Sequence, residues 1–400
     1  SKTHYIPPLT TKTTGDAFSR NFNPPEDMYF YISTPSLTPV NFTIKKGSNQ
    51  LIFAQGTVDN SQSVELKTGP DGTFGHLFID RNNTQERLTE AGFIIEADRE
   101  IYVSVRFNAN YTNYGGSGYR NVHAGALVSK GDAALGTKFR TAGPQTNASY
   151  YLNFASVMAT ENNTQITITP PIDQNGDYVD FDNFSGPVTY PIIETLNKGE
   201  SYVVSSQRGR DGSIGTLIES NKPVVVNTGG IGSVSQTTGG YDYGVDQIVP
   251  SEKTGNEYIF VRGGGNDSWE NVLLIADQNN TTLNINGTSY TDGSGNPIVI
   301  NEGEFIIIEG DKYNSNGTMH VKSDNLNDKI FAYQFIGDVW TTNAPAARQS
   351  MIFVPPLDCG AKGGVNKIAK INKVGKDMAG GVVSLVTKNP ATLTIIDDNG

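Results

Sequence analysis

The chain has 400 residues, enough for several domains of about 100–200 residues each, which excludes a peptide hormone, a toxin or a disulfide mini-scaffold. Lys and Arg number 30 against 41 Asp and Glu, and the net charge of −11 repels phosphate backbones and anionic lipid, so nucleic-acid binding is not its main task. Only 18% of residues are charged, Gly reaches 44, and no apolar run approaches the roughly 20 residues needed to span a bilayer.

The opening Ser1-Lys2-Thr3-His4 has neither an initiator Met nor an apolar targeting segment and reads as a mature or trimmed start. Strand signals follow along the chain. They are clearest at Tyr29–Ser33, Glu100–Arg106, Lys222–Asn227 and Glu304–Ile308, where β-branched and aromatic residues dominate and Gly, Asn, Asp and Pro intervene. No stretch sustains a helix of three turns. Lys362–Lys376 carries five lysines, but Gly363, Gly364 and Gly375 bracket it, so it reads as a strand with a solvated basic edge. The pattern breaks off at Ile396-Asp397-Asp398-Asn399-Gly400, which predicts a longer natural protein.

Internal repetition organises these strands. One hairpin recurs at Met158–Ile168, Ile275–Ile285 and Leu385–Ile395, with a weaker copy at Ser36–Ile44. A second marker, Leu196-Asn197-Lys198-Gly199-Glu200, returns as Ile300-Asn301-Glu302-Gly303-Glu304. A third, Gly215–Val226, returns in Gly317–Asp324 and Lys329–Tyr333. The predicted fold is therefore all-β, with tandem sandwich-like units of about 105–125 residues and roughly seven strands each. The expected boundaries are 1–126, with an extended N-terminal arm, then 127–246, 247–352 and a truncated start at 353–400. A propeller-like ring of β units is the alternative, less favoured because blades normally use about 40–50 residues.

No catalytic constellation stands out. His4, His76, His123 and His320 fall apart from one another with no second ligand at metal spacing. No Gly-x-Ser-x-Gly elbow is present, and Cys359 has no neighbouring His, so it reads as a small buried or half-buried apolar residue. The Gly-rich segments near Gly229, Gly239 and Gly263 lack the Lys-Ser/Thr ending of a phosphate loop and read as loops or bulges. Asp173, Asn175 and Asp177 place oxygen donors at alternate positions, a weak pattern for Ca²⁺ that competes with a solvated hairpin tip. No other cofactor is expected. Trp269 and Trp340 lie near loops, as sugar platforms do, but core lids are the commoner use of such aromatics. Asn82-Asn83-Thr84 and Asn316-Gly317-Thr318 read as hairpin turns whether or not a host glycosylates them.

The opening His4-Tyr5-Ile6-Pro7-Pro8-Leu9, the joint Gln247-Ile248-Val249-Pro250 followed by Gly255-Asn256-Glu257-Tyr258, and the repeated hairpins resemble the IgGFc-binding-protein N-terminal domain family. That resemblance implies the front part of a long cell-surface protein of the Bacteroidota, exported by the type IX secretion system and connected with adhesion and gliding. It brings no catalytic residue with it. Animal members carry cysteines around the position of Cys359, whereas this chain has one cysteine in all.

The expected function is thus a secreted, non-catalytic interaction module on a bacterial surface whose partners are other surface or outer-membrane proteins. The competing expectation is a glycan-binding or glycan-degrading extracellular protein, since two carboxylates facing across a cleft leave no sequence signature. Candidate partner contacts are Tyr111, Tyr114 and Tyr119 in Asn108–Arg120, and Tyr241 and Tyr243 in Gly229–Tyr243, where tyrosines sit among Gly, Ser and Asn as in binding loops. The arm Ser1–Asp27 is a third candidate surface.

Overall fold

Alternation of apolar and polar residues gives a strand one face for the core and one for water. Val40, Phe42 and Ile44 are buried while Asn41 between them is exposed. The computed structural model describes residues 1–11, 25, 27–69, 75–109, 123–145, 152–172, 176–206, 211–232, 242–338, 348–357, 368–374, 377–378, 386 and 392. Among these the fold is all-β, with short 3₁₀ turns and no α-helix.

The first unit holds β1 (Thr3–Ile6), β2 (Leu9–Thr11), β3 (Asp27–Ser33), β4 (Val40–Lys46), β5 (Leu51–Val58), β6 (Val64–Lys67), β7 (Phe78–Asp80), β8 (Arg87–Leu88), β9 (Phe93–Ala97), β10 (Tyr102–Ala109) and β11 (His123–Val128). The second holds β12 (Gly136–Arg140), β13 (Leu152–Ala159), β14 (Thr164–Thr169), β15 (Ile192–Leu196), β16 (Ser201–Ser206), β17 (Leu217–Gly232) and β18 (Asp242–Ile248). The third holds β19 (Glu257–Val261), β20 (Asn271–Ala276), β21 (Thr281–Ile285), β22 (Thr288–Ser289), β23 (Val299–Ile300), β24 (Phe305–Ile308), β25 (Thr318–Ser323), β26 (Ile330–Asp338) and β27 (Arg348–Phe353). A last hairpin pairs β28 (Lys373–Val374) with β29 (Asp377–Met378).

One sheet plan repeats. The first unit has an outer sheet β1-β9-β4-β5 and an inner sheet β11-β10-β3-β6. The third follows with β19-β25-β21-β22, to which β23 adds on β21, and β24-β20-β26-β27. In the second unit β17 serves both sheets: residues 217–220 pair with β12 and β14, and 224–232 pair with β13 and β18, so a single continuous sheet nearly closes on itself. The second unit holds seven strands, as the sequence leads one to expect, while the first holds eleven and the third nine, because short strands such as β23 carry too little alternation to be counted from sequence. The sheets stack face to face, as in sandwiches.

The central strands β13 and β20 are buried on both faces, and this joins the units. In β20, Val272 and Leu274 enter the third unit's own core while Leu273 and Ile275 enter the second unit's core. In β13, Phe154 belongs to the first core and Ala155 and Val157 to the second. Each such side chain contributes roughly 1.5–3 kcal/mol when fully buried. β18 packs between β11 and β27, so the last strands of all three units meet.

The paired turns behave as the repeat requires. Asn163 and Asn280 both take left-handed φ values, 55° and 61°, which Asn tolerates better than other residues. Asn162 Oδ1 accepts from Lys198 N at 3.0 Å, and Asn279 Oδ1 accepts from Glu302 N at 3.1 Å. Glu200 Oε2 and Glu304 Oε2 accept from Asn197 N and Asn301 N at 2.7 and 2.8 Å.

Two local readings are corrected. Ile368–Asn372 forms turns rather than a strand, with Lys370 at φ 42°, because its carbonyls converge on Arg106. Arg106 donates to Lys370 O at 2.5 Å, Ala369 O at 2.6 Å and Lys373 O at 3.0 Å while lying over the Tyr31 ring. This folds the chain's end back onto the first unit, where Lys370 also meets Glu65 at 2.8 Å. Asn82-Asn83 lies in a 3₁₀ turn, Arg81–Asn83, capped by Asp80, instead of a hairpin.

Candidate interaction surface at the joint of the second and third units

Of the tyrosines singled out by composition, Tyr111, Tyr114, Tyr119 and Tyr241 lie outside the described residues. Tyr243 is described and is a core residue, 1% exposed. Its hydroxyl hydrogen-bonds Thr11 Oγ1 at 3.0 Å and its ring meets Phe78 and Phe107 edge-on. The period-2 pattern of β18 turns it inward, so it offers no surface to a partner. Asp173 and Asn175 are likewise outside the described residues; Asp177 is exposed. No group of three or more His, Cys, Asp or Glu able to hold a metal occurs among the described residues.

Other marked residues have structural roles. Trp269 is 2% exposed and packs beneath the β26 end at Gly337, so it is no sugar platform, whereas Trp340 and Cys359 are outside the described residues. The Gly-rich loop at 263–265 does hold an anion, but the chain's own: Glu270 accepts from the amides of Gly263, Gly265 and Gly337 at 2.9, 2.7 and 3.1 Å. His4 is buried and hydrogen-bonds Ser129 Oγ at 2.9 Å and Ile101 O at 3.1 Å. Burial pushes its imidazole down from 6.5 to about 4.

An open concavity lies where the second and third units join. A groove of about 890 Å³ runs between Thr169–Ile172, the Gly176–Asp180 turn and Asp211–Gly215 on one side and Ile298–Ile306 on the other. Ile172, Tyr178 and Val299 along it are 56%, 40% and 49% exposed, an apolar rim that a single free unit would have no reason to display. Two of its lining residues, Arg140 and Glu302, belong to a charge network that crosses the joint. Lys138 Nζ lies 3.0 Å from Asp277 Oδ1 and 3.2 Å from Glu302 Oε1, and Arg140 Nη2 lies 2.8 Å from Glu302 Oε1. Burial opposes the Lys138 ammonium, but the hydrogen bonds and charges of Asp277 and Glu302 prevail and hold its pKa above the ordinary lysine value. Burial likewise opposes the Glu302 carboxylate, and Lys138 and Arg140 outweigh it and hold that group below the usual glutamate value. Tyr333 donates to Arg140 O at 2.7 Å from the third unit's inner sheet. These contacts tie the second and third units together beside the groove. Sequence reasoning missed it because its walls come from segments far apart in the chain, 169–180 and 211–215 against 298–306; only the repeated Asn-x-Gly-Glu marker at Glu304 pointed near it.

The family model for the IgGFc binding protein matches residues 124–394, and the chain belongs to that family. Comparison with curated proteins finds no match. Among the described residues no helix is long and apolar enough to cross a membrane.

Proposed function

We propose that this chain is an extracellular, non-catalytic protein-binding module, part of a bacterial surface protein exported by type IX secretion and serving adhesion or gliding. Family membership over residues 124–394 is the observation that carries this reading. The stacked units support it physically: the central strands β13 and β20, buried on both faces, join the units into one platform on which loops and grooves hold a partner without an ordering cost to the scaffold. The tyrosine-rich segments around Tyr111, Tyr114, Tyr119 and Tyr241 supply one set of contacts, whereas Tyr243 serves the core.

The test is binding of the purified chain to IgG Fc, the ligand named in the family description, and to solubilised outer-membrane proteins, alongside a glycan array and a glycan-hydrolysis screen. Saturable binding to a protein ligand with no hydrolysis supports the module. Turnover of any glycan would overturn it in favour of the glycan-active alternative.

A further inference from the structure

The two joints between units are built alike, with one difference. At the first joint, the outer edge of β16 is paired antiparallel with β8, Leu88 opposite Ser201 and Arg87 opposite Tyr202. Arg87 Nε approaches Glu200 Oε1 at 3.9 Å, and Ser201, Tyr202 and Glu200 are all buried. At the second joint the corresponding strand is β24. Ala159 N donates to Glu200 O and Ala276 N donates to Glu304 O, both at 3.0 Å, so Glu304 matches Glu200, Phe305 matches Ser201 and Ile306 matches Tyr202. β24 ends its sheet, and among the described residues β20 is its one partner. Glu304 is exposed where Glu200 is buried.

Loop length explains the difference. The first unit reaches β16 with the long connection 68–92 between β6 and β9, whereas the second unit links β16 to β17 through 207–216, less than half as long. Its described part, Asp211–Thr216, walls the groove without pairing with β24. The groove thus runs along an edge that the same chain fills elsewhere with a strand.

We infer that this groove binds an extended peptide that adds to β24 as an antiparallel strand and carries a basic residue followed by an aliphatic one, as β8 does. The inference rests on the protein-binding reading and specifies one of its sites. Because Glu304 O faces β20 and antiparallel residues alternate, Phe305 and Ile307 direct their N–H and C=O groups toward the groove, where a strand would satisfy them. Glu304, exposed at the place where Glu200 meets Arg87 in the first joint, is the groove carboxylate that would receive the basic residue of the ligand. Ile172, Tyr178 and Val299 provide the apolar contact for the aliphatic residue.

The probe is a fluorescent synthetic peptide with the sequence of residues 84–90, titrated into the intact chain and followed by anisotropy. Saturable binding is expected. N-methylation at the position of Leu88, which faces Phe305 in this register, should weaken binding at least ten-fold, and N-methylation at the position of Arg87 less than two-fold. Glu304→Gln and Val299→Lys should each weaken binding at least five-fold with the melting temperature unchanged, since the amide oxygen introduced by Glu304→Gln can still accept from Asn301 N and Val299 is a rim residue. Equal loss from both methylated peptides, indifference to both variants, or no binding at all would overturn the strand-addition site. Absence of peptide binding beside retained binding to a protein ligand overturns this site and leaves the module reading standing; loss of both refutes both.

Discussion

Lys130 Nζ lies 2.8 Å from Asp246 Oδ2, joining the first unit to the strand at the centre of the molecule. The same carboxylate oxygen accepts from Phe353 N of the third unit at 2.9 Å. Asp246, 5% exposed, therefore bridges all three units. Replacing it strands a partly buried ammonium and an amide together. Asp246→Ala should cost about 3–5 kcal/mol and Asp246→Asn less, because Asn keeps an acceptor for Phe353 N. Thermal unfolding by circular dichroism measures both, and a loss under about 1 kcal/mol for the alanine variant would show that the bridge is incidental.

Acid should loosen the N-terminal seam through His4. The folded imidazole titrates at about 4 and the unfolded one at 6.5, so between these values the unfolded chain holds a proton that the folded one does not. Stability is full above pH 6.5 and falls as pH drops toward 4, by about 3 kcal/mol at roughly 1.4 kcal/mol per unit. Denaturant titrations at pH 7 and 5.5 should show a loss that His4→Gln does not share. Identical pH slopes for the two proteins would contradict this account.

The two Asn turns should respond alike to substitution. Asn163→Ala and Asn280→Ala place a residue without a local polar partner in the left-handed region and should each cost about 1–2 kcal/mol, while the glycine variants should be close to neutral. Chemical denaturation of the four variants checks this. A glycine variant as destabilised as its alanine counterpart would assign the cost to the lost side chain instead of to φ.

The tyrosines should divide into two groups. Tyr243→Ser opens a cavity beside Phe78 and Phe107 and should cost about 3–5 kcal/mol of stability. Changing Tyr111, Tyr114, Tyr119 and Tyr241 to Ser should leave the melting temperature nearly unchanged and weaken partner binding by about 1–2 kcal/mol per hot-spot residue. Surface plasmon resonance with the captured ligand, together with calorimetry, separates the two groups. Unchanged binding in all four of these latter variants would remove those segments from the interface.

Local pattern carried much of this fold. Alternation in Val40–Ile44 and Thr164–Thr169, the Asn-Asn turns and the recurring Asn-x-Gly-Glu marker depend on neighbours within a few residues, so strands, hairpins and the repeat were legible in the sequence. What escaped was whatever depends on distant partners. Tyr243 reads as a binding-loop tyrosine until β18 pairs with β17 and aims it at Phe78 and Phe107, and Ile368–Asn372 reads as a strand until Arg106 gathers its carbonyls. The groove depends on more distant relations still. Whether the edge of β24 is open is set by how far a connection elsewhere in the chain can reach, which is a matter of tertiary geometry and loop length rather than of the residues in β24.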